Sequence, residues 1–263
     1  MAMPEVAVII TCYNYGKYIK QAVLSAIGQD VPVEVIVIDD GSTDISTLEV
    51  LDNIRKEGVL IHRQPNRGLP GARNSGVKLA QAKYVVCLDA DDIIHKRYCS
   101  TCLEVLKSRT DIGFVYTTTK VFGHKNKLWS NITFSKLHLL LDNYIPYSAM
   151  FRRELWENIG GFDENMRFGY EDWDFWLAAV EKGWSGFHVP ENLFLYRKHG
   201  ESMLSSSNRC RKELKNYLRR KHKGLYSPGG ILKLLKEEPF HIPRALGALL
   251  KEEVLRTLVR GKI

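Results

Sequence analysis

Three carboxylates, Asp89, Asp91 and Asp92, fall within four residues directly after the apolar run Tyr84-Val85-Val86-Cys87-Leu88. Like charges this close repel, and hard divalent cations bind oxygen, so a metal carrying a substrate diphosphate would relieve the repulsion. The plainer role is a solvated acidic turn, with Asp92 as a helix-start residue. A second acidic run, Glu171-Asp172-Trp173-Asp174, opens a segment of helical spacing. A helix N-terminus favours the ionised form of its acids, so Asp172 is expected to be a carboxylate at neutral pH. Facing the same cleft, it could take a proton from a hydroxyl; otherwise it caps a helix. His199 could add a nitrogen ligand to the same metal or be an ordinary polar residue.

Other positions suit a nucleotide. Thr11 and Tyr13, in Thr11-Cys12-Tyr13-Asn14-Tyr15-Gly16, could hold and stack a nucleobase, or cap and pack the first helix. That loop has one glycine where a dinucleotide fingerprint has three, which disfavours a dehydrogenase. Asp39 stands at a strand end, where a carboxylate can accept the imide N–H of uracil, although Asp is also common in Gly-Ser turns. Small residues at Gly71, Ala72 and Gly76 let a helix lie close to a sheet, from which Arg73 could reach a diphosphate.

These residues need strands to carry them. Val6 to Ile10, Val33 to Ile38, Val59 to His62 and Tyr84 to Leu88 read as strands. Helical spacing falls at Lys17 to Gly28, at Thr47 to Glu57 with Ser42 or Thr43 as N-cap, and at Pro70 to Gln81. Apolar strands alternating with helices predict an α/β fold with a mostly parallel sheet covered on both faces. Ligands then bind beyond the carboxyl ends of the strands, where the polar clusters at Thr11, Asp39 and Asp89 would converge. After residue 112 the alternation weakens. Phe114 to Thr119 reads as a strand, Lys120 to Asn131 as a polar loop, and Gly186 to Pro190 and Leu193 to Tyr196 as separate extended pieces. Trp173, Trp176, Leu177 and Val180 form one stripe on a helix from Glu171 to Lys182.

The 263 residues carry a net charge of +8, unevenly placed. From Arg209 onward 15 Lys/Arg face 5 Asp/Glu, a net +10, which leaves the first 208 residues at −2. A near-neutral body argues against a nucleic-acid groove. The basic tail, apolar at helical spacing from Phe240 to Arg260, could lie on anionic lipid, pack on the body or meet a second subunit of a homo-oligomer. No apolar run approaches a membrane span, and five cysteines without framework spacing suit a reducing cytosol. The lone Cys99-Ser100-Thr101-Cys102 is expected to pack a helix rather than bind zinc.

In order and spacing, these segments resemble the family 2 inverting glycosyltransferases. The matching stretches are Thr11-Cys12-Tyr13-Asn14, Asp39-Asp40-Gly41-Ser42-Thr43-Asp44, Asn66-Arg67-Gly68, Ala72-Arg73-Asn74-Ser75-Gly76, Leu88-Asp89-Ala90-Asp91-Asp92, Gly160-Gly161-Phe162-Asp163-Glu164, Glu171-Asp172-Trp173-Asp174 and Tyr196-Arg197 with His199. Thr11 replaces a proline that many members carry, and the Q-x-x-R-W signature of processive synthases is absent after Asp172, which suggests addition of one sugar. The resemblance implies a Rossmann-like GT-A domain over residues 1–205, with a nucleotide half to about 110 and an acceptor half beyond it. A basic helical extension would follow over 206–263. It further implies that Thr11, Tyr13, Asp39, Arg73 and Asp89 bind the nucleotide of a UDP-sugar. Asp91 and His199 would hold Mn²⁺ or Mg²⁺. Asp172 would be the general base, and Glu171 and Trp173 would line the sugar or acceptor site. The partners are then a nucleotide-sugar donor and a glycan or lipid-linked acceptor, met in the cytoplasm or at the inner membrane face. A non-catalytic nucleotide-sugar binder of the same fold and an Asp-x-Asp phosphatase are the alternatives.

Overall fold

The structure is a computed structural model that describes residues 3–124, 126–129, 132–199 and 210–238. Four parallel strands form its first half: β1 (Val6–Cys12), β2 (Val33–Asp39), β3 (Leu60–Arg63) and β4 (Tyr84–Asp89). Helices α1 (Gly16–Ile27), α2 (Ile45–Lys56) and α3 (Gly68–Leu79) connect them. The second half adds β5 (Ile93–Ile94), α4 (Tyr98–Ser108), β6 (Ile112–Gly123), β7 (Lys127–Leu128), α5 (Lys136–Leu139), β8 (Met150–Arg152), α6 (Arg153–Ile159), α7 (Glu171–Glu181) and β9 (Ser185–Lys198). Strand order is β3-β2-β1-β4-β8-β6-β9-β5, with β7 beside β6. β8 is antiparallel to both its neighbours, and β9 returns parallel to β6. The expected mostly parallel α/β sheet is present.

Alternation along β1 explains its uniformly apolar sequence. Successive side chains point to opposite faces, so Ala7 and Ile9 pack with α3 and α7, while Val6, Val8, Ile10 and Cys12 pack with α1 and α4. Helix α3 lies close enough that a Cβ on Gly76 would sit 2.0 Å from Ile9 Cγ2. Cys99 and Cys102 are buried in α4 and serve its packing.

Long-range contacts alter several local expectations. Asp44, not Ser42 or Thr43, caps α2, accepting the Thr47 N–H at 2.9 Å. Ser42 instead accepts the Asn14 N–H. The expected loop from Lys120 is partly strand, because β6 runs to Gly123 and then pairs with β7. The two extended pieces after Gly186 are one strand, β9. Thr117 pairs with Val189 and Thr119 with Phe194, so the ladder absorbs residues 190–193 opposite one residue. Proline at 190 cannot donate to a ladder and suits such an irregularity.

The chain continues as α8 (Arg211–Lys221), α9 (Lys223–Tyr226) and α10 (Pro228–Glu237). Leu218, Tyr226, Ile231 and Leu234 share one buried cluster with Trp173, Phe175 and Trp176. Through these four side chains the C-terminal helices pack on the body. The apolar stretch Phe240 to Arg260 lies outside the described residues. Among the described residues no helix is long and apolar enough to cross a membrane.

Candidate functional site

Parallel pairing places Thr11 beside Asp89 and Cys12 beside Asp39, so three polar strand ends meet at one sheet edge. A cavity of about 1010 Å³ opens there, and nine of the ten predicted site residues line it. Its size is at the upper end for a single-ligand pocket. The tenth, Asp39, is buried behind the cavity wall. One of its oxygens accepts the Ser42 N–H at 2.9 Å, and the other lies 3.3 Å from Arg63 Nε. Its neighbour Asp40 reaches the cavity and accepts the Arg67 and Gly68 N–H groups, both at 2.9 Å, fixing the entry to α3. Tyr13 is 46% exposed at the rim, which leaves ring surface for stacking.

Arg73 lines the cavity and is held by protein partners. Its side chain is only 1% exposed; Nη1 donates to Glu171 Oε1 at 2.7 Å and Nη2 to Asp89 Oδ1 at 3.1 Å. The guanidinium lies 4.8 Å from the Tyr147 ring centroid and 5.6 Å from that of Phe162. A buried charge persists only when paired. Burial works against the Arg73 cation, but Asp89 and Glu171 more than offset it and its pKa rises. Arg73 thus orients a carboxylate in each half of the site. Thr11 Oγ1 also donates to Asp89, at 3.2 Å.

Asp91 and His199 meet at the cavity edge, with Oδ2 and Nε2 2.7 Å apart. Burial and the nearby Asp89 raise the Asp91 pKa, against the lowering effect of His199. One carboxylate and one imidazole fit Mn²⁺ or Mg²⁺, whose remaining positions phosphate oxygens and water commonly fill. Among the described residues no cluster of three or more His, Cys, Asp or Glu is placed to bind an ion. Asp92 is no helix-start residue. It is 1% exposed and turned into the protein, because strand β5 rather than a helix follows it.

The opposite side of the cavity is built on the first turn of α7. Tyr170, at φ 65°, delivers the chain into that helix. Asp172 accepts Asn143 Nδ2 at 2.9 Å on one oxygen and the Trp173 N–H at 2.8 Å on the other. Burial raises its pKa, and Arg73 and these two bonds partly oppose the rise. Burial also raises Glu171, again against Arg73. Trp173 is buried with its Nε1 on the Leu139 carbonyl at 2.7 Å, so it forms a wall behind Asp172. Asn143 and Tyr147 escaped the sequence reading. They lie in Asp142-Asn143-Tyr144-Ile145-Pro146-Tyr147, an irregular stretch whose only signal is polar and aromatic residues around a proline.

Comparison with known proteins covers this same architecture. The model of "Glycosyl transferase family 2" matches residues 7–173. Chondroitin synthase of Escherichia coli is 31% identical over 207 residues, which are 76% of this chain and 30% of that protein. The chain therefore spans under a third of that relative's length. S. aureus TarS 1-349 in complex with UDP-GlcNAc superposes with a TM-score of 0.66 at 22% identity, over 77% of this chain and 61% of that one. The mannosyltransferase PcManGT from Pyrobaculum calidifontis, in complex with GDP-Man and Mn²⁺, gives 0.59 at 18% identity, over 99% and 80%. At these identities the structural likenesses establish the GT-A fold. The family match runs unbroken from β1 through the acidic end of β4 to the first turn of α7, the elements that bring Thr11, Asp89 and Asp172 to one cavity, and the chain belongs to glycosyl transferase family 2.

Proposed function

We propose that this chain transfers one sugar, with inversion, from a UDP-sugar to an acceptor hydroxyl in cell-surface polysaccharide or glycolipid assembly. The observation that carries this reading is that Asp89, Asp91 and Asp172 line one cavity, with Arg73 bonded to Asp89 and to Glu171, the neighbour of Asp172. Thr11 and Tyr13 border the nucleotide end, and Asp39 sits behind them. Asp91 and His199 would hold Mn²⁺ or Mg²⁺, which supplies charge neutralisation for the leaving diphosphate. Asp172 takes the acceptor proton as the hydroxyl oxygen attacks the anomeric carbon from the face opposite the diphosphate, so the C–O bond to UDP breaks and the configuration inverts. Asn143 and the Trp173 N–H keep the Asp172 carboxylate aimed during that step. Uracil is favoured because the TarS neighbour binds UDP-GlcNAc, and single addition because the processive signature is missing. Family membership sets the phosphatase alternative aside.

A thermal-shift panel of UDP-, GDP- and dTDP-sugars, with and without Mn²⁺, tests the donor. A ligand at about 100 times its Kd stabilises by about 2.7 kcal/mol. A shift largest for a UDP-sugar with Mn²⁺ is expected, and a flat panel overturns the reading. Release of UDP that requires an added saccharide acceptor would separate transfer from mere binding.

A further inference from the structure

We propose that Asp92 is a positioning residue that staples the acidic turn to the end of β9 and so sets Asp91 and His199 at metal-binding distance. The proposal rests on the nucleotide-sugar reading above, because it concerns the metal that accompanies the donor. Both Asp92 oxygens are already engaged inside the protein. Oδ1 accepts the Arg197 N–H at 2.6 Å and Oδ2 accepts the Tyr147 hydroxyl at 2.5 Å. The third carboxylate of the cluster is therefore a partner of the backbone 105 residues away, not a spare ligand.

The turn and the strand are fastened at further points. Arg197 Nε donates to the Asp91 carbonyl at 2.7 Å, and Ile93 and Ile94 pair with Leu195 and Phe194. The turn closed by the Asp92 N–H on the Asp89 carbonyl, at 3.1 Å, leaves Asp91 lining the cavity while Asp92 is buried. Residues two apart share a side. In agreement, the Arg197 guanidinium lies 5.0 Å from the Tyr18 ring centroid, and the His199 ring lies 4.6 Å from that same ring. A bond at the Arg197 N–H thus fixes the strand only two residues before His199. Tyr147 carries the same staple into the donor site, since its hydroxyl also accepts the Asp89 N–H at 3.2 Å and its ring lies beneath Arg73. Partners that orient metal ligands are commonly worth about 10–100-fold in metal affinity.

Calorimetric titration of UDP into the full chain, with Mn²⁺ and with EDTA, tests this, with thermal melts to confirm folding. Asp92→Ala should lose about tenfold or more of the Mn²⁺-dependent part of UDP affinity while its affinity in EDTA stays at the wild-type level. Asp92→Asn, which keeps an acceptor for the Arg197 N–H and a partner for Tyr147, should restore most of the loss. Tyr147→Phe, which removes one of the two Asp92 bonds together with the acceptor of the Asp89 N–H and little volume, should fall between them in the Mn²⁺-dependent part, and serves if Asp92→Ala does not fold. Wild-type Mn²⁺ dependence in Asp92→Ala, or in Tyr147→Phe where that is the folded variant, overturns the proposal. Asp92→Asn as weak as Asp92→Ala also overturns it, because the negative charge itself would then be what matters. Wild type that binds UDP indifferently to Mn²⁺ overturns the staple but leaves donor binding standing. Wild type that binds no UDP overturns the reading beneath it.

Discussion

At the scale of single residues, the site separates carboxylates by what surrounds them. Asp172 is raised by burial yet held as an acceptor by Asn143 and the Trp173 N–H, which suits a base that must be ionised and still attract a proton. Asp172→Asn would remove the proposed base with almost no change in volume. Transfer should fall by about 10²-fold or more while UDP affinity stays within about twofold, measured by product formation and calorimetry. Normal turnover would remove Asp172 from the mechanism. The residue types and spacing of Asp89, Asp91, Asp172 and His199 were legible in the sequence because charged residues at strand and helix ends are conspicuous there. Asn143 and the buried role of Asp92 were not. A hydrogen bond between residues 29 apart, or 105 apart, leaves no local pattern.

At the scale of elements, close approach of α3 to β1 is what brings Arg73 between the two halves of the site. Gly76 makes that approach feasible, since any Cβ there would overlap Ile9 Cγ2 and press on Ile38. Gly76→Ala should destabilise the protein by about 1–3 kcal/mol, because the packed sheet cannot retreat. The melting temperature should drop by several degrees, and Gly76→Ala combined with Ile9→Ala should cost less than the sum of the two single variants. An unchanged melt in the single variant would show that α3 can shift at no cost. The small residues around Arg73 announced this packing in the sequence. The length of β6 and the unity of β9 were not announced, because Lys120 in β6 and Pro190-Glu191-Asn192 in β9 interrupt the local strand pattern, and it is pairing between the two strands that carries them on.

At the scale of the molecule, α8 to α10 close the domain beneath the helix that carries Asp172. His222 is 2% exposed, with Nδ1 2.8 Å from Glu181 and Nε2 2.9 Å from Asp174, while Lys221 joins Asp174 to Asp163. Burial disfavours the His222 cation, but Asp174 and Glu181 outweigh it and the pKa rises. A group raised on folding stabilises fully below its unfolded pKa of about 6.5, and that stabilisation disappears as pH climbs through the raised value. Urea unfolding at about pH 6 and about pH 9 should show stability declining with pH, and His222→Gln should flatten the slope. Equal slopes in both proteins would mean that His222 does not link folding to pH. The sequence by itself determined the parallel strands, the sheet edge where their polar ends converge and the acidic residues gathered there, because period and residue type act over a few neighbours. Only the tertiary structure decided that Arg73 is shared between two carboxylates, that Asp92 turns away from the cavity and that Leu218, Tyr226, Ile231 and Leu234 join the core. Each of those depends on burial and on partners distant along the chain, and neither can be computed from local spacing.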